Sequence, residues 1–189
     1  MYLDETTDAH QRDATRRAGR LGWAGFAVVA EARRETSGVI VAEPYLEFEL
    51  PIERGKVREF ALAVGEDNPI FFDVEAARRE GLPDVVAPPT FTVSQIWQVP
   101  REEREERLGA RLDYERVLHG EQEFELRRLP FAGEVLKGVM RIARDLTKEG
   151  RRGGRMRFVT YESRFTDAQG EEVLTAYYTL IETEGDTGA

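Results

Sequence analysis

From Glu115 onward the hydrophobic period changes from helix-like to strand-like, and this change limits the fold more than any other feature. GEQEFELRRL alternates at Phe124 and Leu126. Phe131-Ala132-Gly133-Glu134 reads as a turn, and VLKGVMRIARDL as a long strand with Val135, Val139 and Ile142 among its apolar positions. RRGGR is a loop, MRFVTYESRF alternates again, and Asp167-Ala168-Gln169-Gly170 is a hairpin turn whose glycine suits positive φ. EVLTAYYTLIE closes the series. Four strands joined by hairpins must run antiparallel, since parallel neighbours need long crossovers.

The half before this sheet reads mainly as helices. Tyr45, Phe48 and Leu50 lie in one β-like run, YLEFELPI. Val57, Phe60, Ala61 and Val64 then recur at i, i+3, i+4 and i+7, the stripe of an amphipathic helix that Gly65 should end. Asn68-Pro69 fits a cap followed by proline at the first helical position, and Asp73 can cap VEAARRE before Gly81. Pro88-Pro89 opens TFTVSQIW, which reads as a buried helix, whereas REEREERLGAR is too charged on every side for a core element. Upstream the pattern is mixed: Leu21, Ala24, Val28 and Ala32 have helical spacing, while Val39, Ile40 and Val41 read as a strand. One strand, helices, then four antiparallel strands give an α+β fold with helices on one face of a sheet of about five strands. The expected organisation is an N-terminal extension of unsettled structure over 1–43, one domain over 44–183 and a disordered tail over 184–189.

Composition narrows the partners. The 189 residues carry a net charge of −9, which disfavours nucleic acid and anionic membrane surfaces. There is no cysteine, and His10 and His119 are the only histidines, so disulfides, thiolate metal sites and multi-histidine metal sites are excluded. No apolar run reaches the roughly 18 residues a bilayer span requires. The start MYLDETTDAH lacks the basic and apolar regions of a signal peptide. A cytoplasmic protein is the expectation.

Several separated blocks, in order, carry a family resemblance: ERGKVREFALAVGEDNP, VVAPPTF, HGEQEFELRRLPFAGEVL and the closing strand pair. They resemble the MaoC-like, or (R)-specific enoyl hydratase, group of hot-dog folds, and more narrowly its N-terminal FAS1-type dehydratase half. The resemblance covers roughly residues 44–183. It implies a curled antiparallel sheet wrapped around one long helix, with VVAPPTFTVSQIW similar to the start of that helix. Catalytic members hydrate or dehydrate (R)-3-hydroxyacyl thioesters through G-D-x-N-P-[ILV]-H followed by a small residue six positions on. A carboxylate and an imidazole share a water molecule as general acid and base. Backbone N–H groups at the start of the central helix stabilise the enolate oxygen.

Gly65, Asn68, Pro69, Ile70 and Ala77 match that pattern, and three positions depart from it. Glu66 stands where the resemblance places the aspartate, and Phe71 where it places the histidine. Phenylalanine cannot move a proton. Pro89 falls on the glycine whose N–H would help form the oxyanion hole, and proline has no N–H. The resemblance therefore implies an acyl-binding, non-catalytic half whose Asp and His come from a second hot-dog subunit. Such a sheet also leaves an edge strand, which a homodimer would cover equally well. No cofactor is implied; coenzyme A or an acyl carrier protein carries the substrate.

Other residues have two readings each. His119 could contact the thioester, or be a strand-start histidine bonded to backbone; Gln122 could orient a polar substrate group, or be an ordinary strand glutamine. The substrate-binding candidates are Asn68, Phe71, Phe72, Thr90, Phe91, His119 and Gln122, with Ile96 and Trp97 as either tunnel lining or core. Glu66 and Asp67, with His119 as acid, would carry a self-sufficient homodimeric lyase. A third alternative is an acyl-thioester-binding module without lyase activity. Arg151, Arg152 and Arg155 could dock an anionic carrier or form a solvated loop; Arg127 and Arg128 read as surface strand residues, and REEREER as a solvated linker or helix.

Overall fold

The computed structural model describes residues 44–150 and 154–184; the readings of 1–43, Arg151, Arg152 and 185–189 lie outside the described residues. Five strands form one antiparallel sheet: β1 (Tyr45–Pro51), β2 (Val117–Leu126), β3 (Val135–Glu149), β4 (Arg155–Thr166) and β5 (Glu172–Thr183). Their spatial order is β1-β3-β4-β5-β2, so β1 and β2 are the two edges. Three α-helices fall between β1 and β2: α1 (Arg54–Ala63), α2 (Val74–Arg79) and α3 (Arg101–Leu108). A curled antiparallel sheet with helices on one face is the hot-dog arrangement the sequence blocks imply.

Local signals explain the first helices. Val57 and Ala61 are the buried stripe of α1. Gly65, at φ 79°, ends the helix: its N–H donates to Leu62 O, and the Glu66 N–H donates to Ala61 O at 2.9 Å. These two bonds are the Schellman pattern that a left-handed glycine permits. Asn68 then caps a single 3-10 turn, Pro69–Phe71, and Asp73 Oδ1 caps α2 by accepting from Glu75 N–H at 2.8 Å.

Several details differ from the sequence expectation, among them the β2–β3 connection, which is not a hairpin because β2 pairs with β5. TFTVSQIW does not begin a long buried α-helix; Phe91–Trp97 is a 3-10 segment of seven residues. Thr92 and Val93 are β-branched and lose side-chain freedom in a helix. Pro100 then disfavours helical backbone at Val99, so the segment has no room to grow. Phe91, Thr92 and Gln95 are buried, whereas Ile96 and Trp97 face outward, Trp97 at 80% exposed.

The charged REEREERL run is helix α3, and it contributes to the core. Leu108 and Arg104 are both buried against the sheet. In β3 the inward residues are Leu136, Gly138 and Met140, while Val135 and Val139 point outward. Gly138 leaves room for the Phe48 ring, which packs edge-on against Phe165 at 5.7 Å.

Arg128 is not a surface residue. It holds Glu134 and Asp167 in an ion network whose three side chains are nearly buried, and Glu134 also accepts from the Phe131 N–H at 2.8 Å. The same Asp167 accepts the Gln169 and Glu171 N–H groups, so one network fixes both the β2–β3 turn and the β4–β5 hairpin.

Candidate functional site

The segment 65–73 is built as a turn over an apolar floor. Asn68 Oδ1 accepts from the Ile70 N–H at 3.1 Å, and the Phe71 N–H donates to Asn68 O at 3.2 Å. This geometry drives Ile70 and Phe71 inward. Phe71 is 1% exposed in a cluster with Ala61, Ile70 and Val86. The position where the family pattern has imidazole is therefore occupied by a core side chain. Glu66 is half-buried, while Asp67 and the Asn68 side chain are exposed.

The turn is tied to the Pro88-Pro89 region through Val86. Its N–H donates to Ile70 O at 3.2 Å, and the next residue's N–H, from Ala87, donates to Pro130 O at 2.8 Å. Phe91 is buried at the start of the 3-10 segment, edge-on to Phe60 at 5.4 Å, while Thr90 is exposed. The Phe91 N–H donates to Pro88 O, and Pro89 has none to give. Phe72 lies half-buried beneath the Arg58 guanidinium, 5.8 Å from its ring centre. The structure thus brings Asn68, Phe71 and Phe72 to one turn, with Thr90 and Phe91 following the segment bonded to it.

His119 and Gln122 belong elsewhere. His119 is exposed on β2 and stacks on Tyr178 with ring centres 6.5 Å apart. Gln122 Nε2 donates to Tyr177 O at 2.9 Å, which commits its amide to the backbone of β5. No hydrogen bond or ion pair joins His119 to Glu66 or Asp67 among the described residues. Arg155 pairs with Glu184 at 2.9 Å. No group of three or more acidic or histidine residues able to hold a metal occurs among the described residues, and no helix there is long and apolar enough to cross a membrane.

Sequence reading missed several buried polar groups. Thr92 Oγ1 and Gln95 Oε1 are buried without hydrogen-bond partners in the 3-10 segment. So are Arg104 Nε, Tyr161 Oη and Tyr178 Oη beneath α3. Arg104 was hidden by its neighbours, because an arginine in a run of glutamates and arginines carries no periodic signal.

Fold and turn together define a hot-dog domain of the MaoC-like dehydratase kind. Residues 13–176 match the family described as FAS1-like, dehydratase domain region, and the chain belongs to that family. A UPF0336 protein of Leifsonia xyli subsp. xyli is 41% identical over 145 residues, covering 73% of this chain and 85% of that one. Among solved structures, the C-terminally truncated HadBC (3R-hydroxyacyl-ACP dehydratase) complex from Mycobacterium tuberculosis superposes with a TM-score of 0.57 at 28% identity, over 72% of this chain and 95% of that one. A MaoC-like dehydratase superposes with a TM-score of 0.61 at 30% identity, over 73% of this chain and 41% of that one.

Proposed function

We propose that this chain is the acyl-binding, non-catalytic half of a dehydratase or hydratase acting on (R)-3-hydroxyacyl or enoyl thioesters, with coenzyme A or an acyl carrier protein as the carrier. The observation that carries this reading is Phe71, buried in an apolar cluster at the position where active members of the family hold imidazole. The turn holds no imidazole, and phenylalanine carries no proton; its remaining ionisable groups are the carboxylates of Glu66, Asp67 and Asp73. Pro89 adds a second deficit, since an oxyanion needs N–H donors.

In this reading a second hot-dog subunit supplies the aspartate and histidine that share the reacting water. This chain supplies the shaped turn of Asn68 and Phe71, and the apolar surface beside Phe72 and Phe91. The outer edge of β2 supports such pairing. It is a ten-residue edge strand with no neighbour on that side among the described residues, and it carries an exposed Leu118. Exposed strand edges of this length invite pairing with another chain. The similarity to HadBC, a complex of two subunits, points the same way.

The test is hydration of crotonyl-CoA by the isolated chain and by its mixture with a hot-dog subunit bearing the full Asp–His motif. No turnover alone and turnover in the mixture support the proposal. Turnover by the chain alone would favour a homodimeric lyase using Glu66 or Asp67. Binding of acyl-CoA without any activating partner would favour a plain acyl-thioester-binding module.

A further inference from the structure

Beneath α3 lies a charged group without a counter-charge. Arg104 is 6% exposed, and no carboxylate lies within ion-pair distance of it among the described residues. Its Nη2 donates to Tyr114 Oη at 2.6 Å, and its Nε, on the same edge of the guanidinium, is buried without a partner. The guanidinium carbon sits 5.4 Å from the centre of the Tyr161 ring. Tyr161 and Tyr178 are register partners on β4 and β5, with rings stacked 4.8 Å apart.

Arg104 faces both phenol oxygens closely enough to act on them as a charge and as a donor, yet neither hydroxyl makes a hydrogen bond of good geometry. Burial pushes Tyr161 up to about 12, and raises Tyr178 as well, with the Arg104 charge opposing in each case. Both are therefore neutral donors at physiological pH and cannot balance the guanidinium. Glu105 does not balance it either: it forms no ion pair with Arg104, and its own Oε1 is buried and unpartnered.

The cluster is thus rich in donors, and the one unused carboxylate oxygen nearby, Glu105 Oε1, bonds to none of them. It holds one permanent cation, an unused Nε–H and two unused phenol O–H groups. Burying a lone charge is costly unless it is paired, and a half-satisfied buried polar network is more costly than an apolar one. An Arg fork beside phenol donors matches a planar anionic acceptor.

We propose that Arg104, Tyr161 and Tyr178 form a binding site for a small organic carboxylate. Arg104 supplies charge and the Nε–H, the two phenols supply O–H donors, and Tyr114 fixes the guanidinium through the neighbouring Nη2. Tyr114 and His119, the outermost members of this chain of contacts, are the ones that reach solvent. The site is separate from the 65–73 turn, and its occupancy does not depend on the acyl-thioester reading.

The test follows the Arg104 Nε–H by NMR in the folded chain while butyrate is added, with butyramide as the neutral isostere and chloride as the simple anion. Saturable movement of that resonance with butyrate alone is the expected result. Tyr161→Phe keeps the ring stack and should weaken the response at least about tenfold, roughly 1.4 kcal/mol. Arg104→Met should abolish thermal stabilisation by butyrate; if that variant does not fold, Tyr161→Phe still decides. An Nε–H unmoved by butyrate at any soluble concentration, equal movement with butyramide or chloride, or an unchanged response in Tyr161→Phe would overturn the proposal.

Discussion

Asn68 Oδ1 accepts the Ile70 backbone N–H at 3.1 Å, and this bond sets the direction in which Phe71 enters the core. The turn keeps its shape with Glu66 and Phe71 at the positions where the sequence resemblance places aspartate and histidine. Asn68→Ala should cost about 0.5–2 kcal/mol, the usual range for losing an N-cap side chain. Urea denaturation would measure it, and Asn68→Asp, which keeps the acceptor, should recover most of the loss.

Phe71 is a packing residue, so restoring histidine there should not restore chemistry. Phe71→His places an imidazole among Ala61, Ile70 and Val86. The expected cost is about 1–3 kcal/mol for burying an unpaired polar group. Crotonyl-CoA hydration by that variant alone should stay at background, because Pro89 still offers no N–H. Denaturant midpoints and a hydration assay on the same preparation check both halves of the prediction.

Gly138 is fixed by Phe48 rather than by backbone conformation. A Cβ on residue 138 would fall 2.3 Å from Phe48 Cζ. The ring cannot simply retreat, because it packs edge-on against Phe165. Gly138→Ala should therefore destabilise by about 1–3 kcal/mol, the range for overpacking. Adding Phe48→Leu should relieve part of that penalty, which a double-mutant cycle of denaturant midpoints would reveal as coupling.

Acid should release one inter-segment contact. The hydrogen bond from Arg54, 30 residues away in sequence, holds the Asp84 carboxyl below its usual range, with burial opposing and the Val85 N–H assisting. A depressed folded-state value means that the stability is present above the unfolded carboxyl value near pH 4. It is lost as pH falls through the lower folded value. Asp84→Asn should flatten the acid limb of a stability-versus-pH curve and leave the limb above pH 6 parallel to that of the parent.

The strands were legible because they alternate and their turns carry glycine, Gly170 and Gly133 at positive φ, but the pairing was only partly so: β2 pairs with β5, and the turn at Gly133 leads to a crossover rather than a hairpin. α1 and its stop were legible for the same local reason. The central helix was misjudged because apolar content at Phe91, Ile96 and Trp97 suggested burial all round, while Pro100 kept the 3-10 segment from extending. Arg104 and Arg128 were missed because their partners are distant in sequence: Tyr161 lies beneath α3, and Asp167 is 39 residues from Arg128. The turn at 65–73 was recognisable from a contiguous motif, whereas the separation of His119 from it depends on tertiary structure.

The claim at the centre of this account is that the chain moves no proton itself. The direct measurement is kcat for enoyl-thioester hydration by the complex with a catalytic hot-dog subunit, comparing the parent with Glu66→Gln and Asp67→Asn in this chain. The prediction is a kcat within about twofold of the parent for both variants, while neutralising the partner's histidine abolishes turnover. A fall of about a hundredfold or more in either variant, the scale of a lost general acid or base, would contradict the claim.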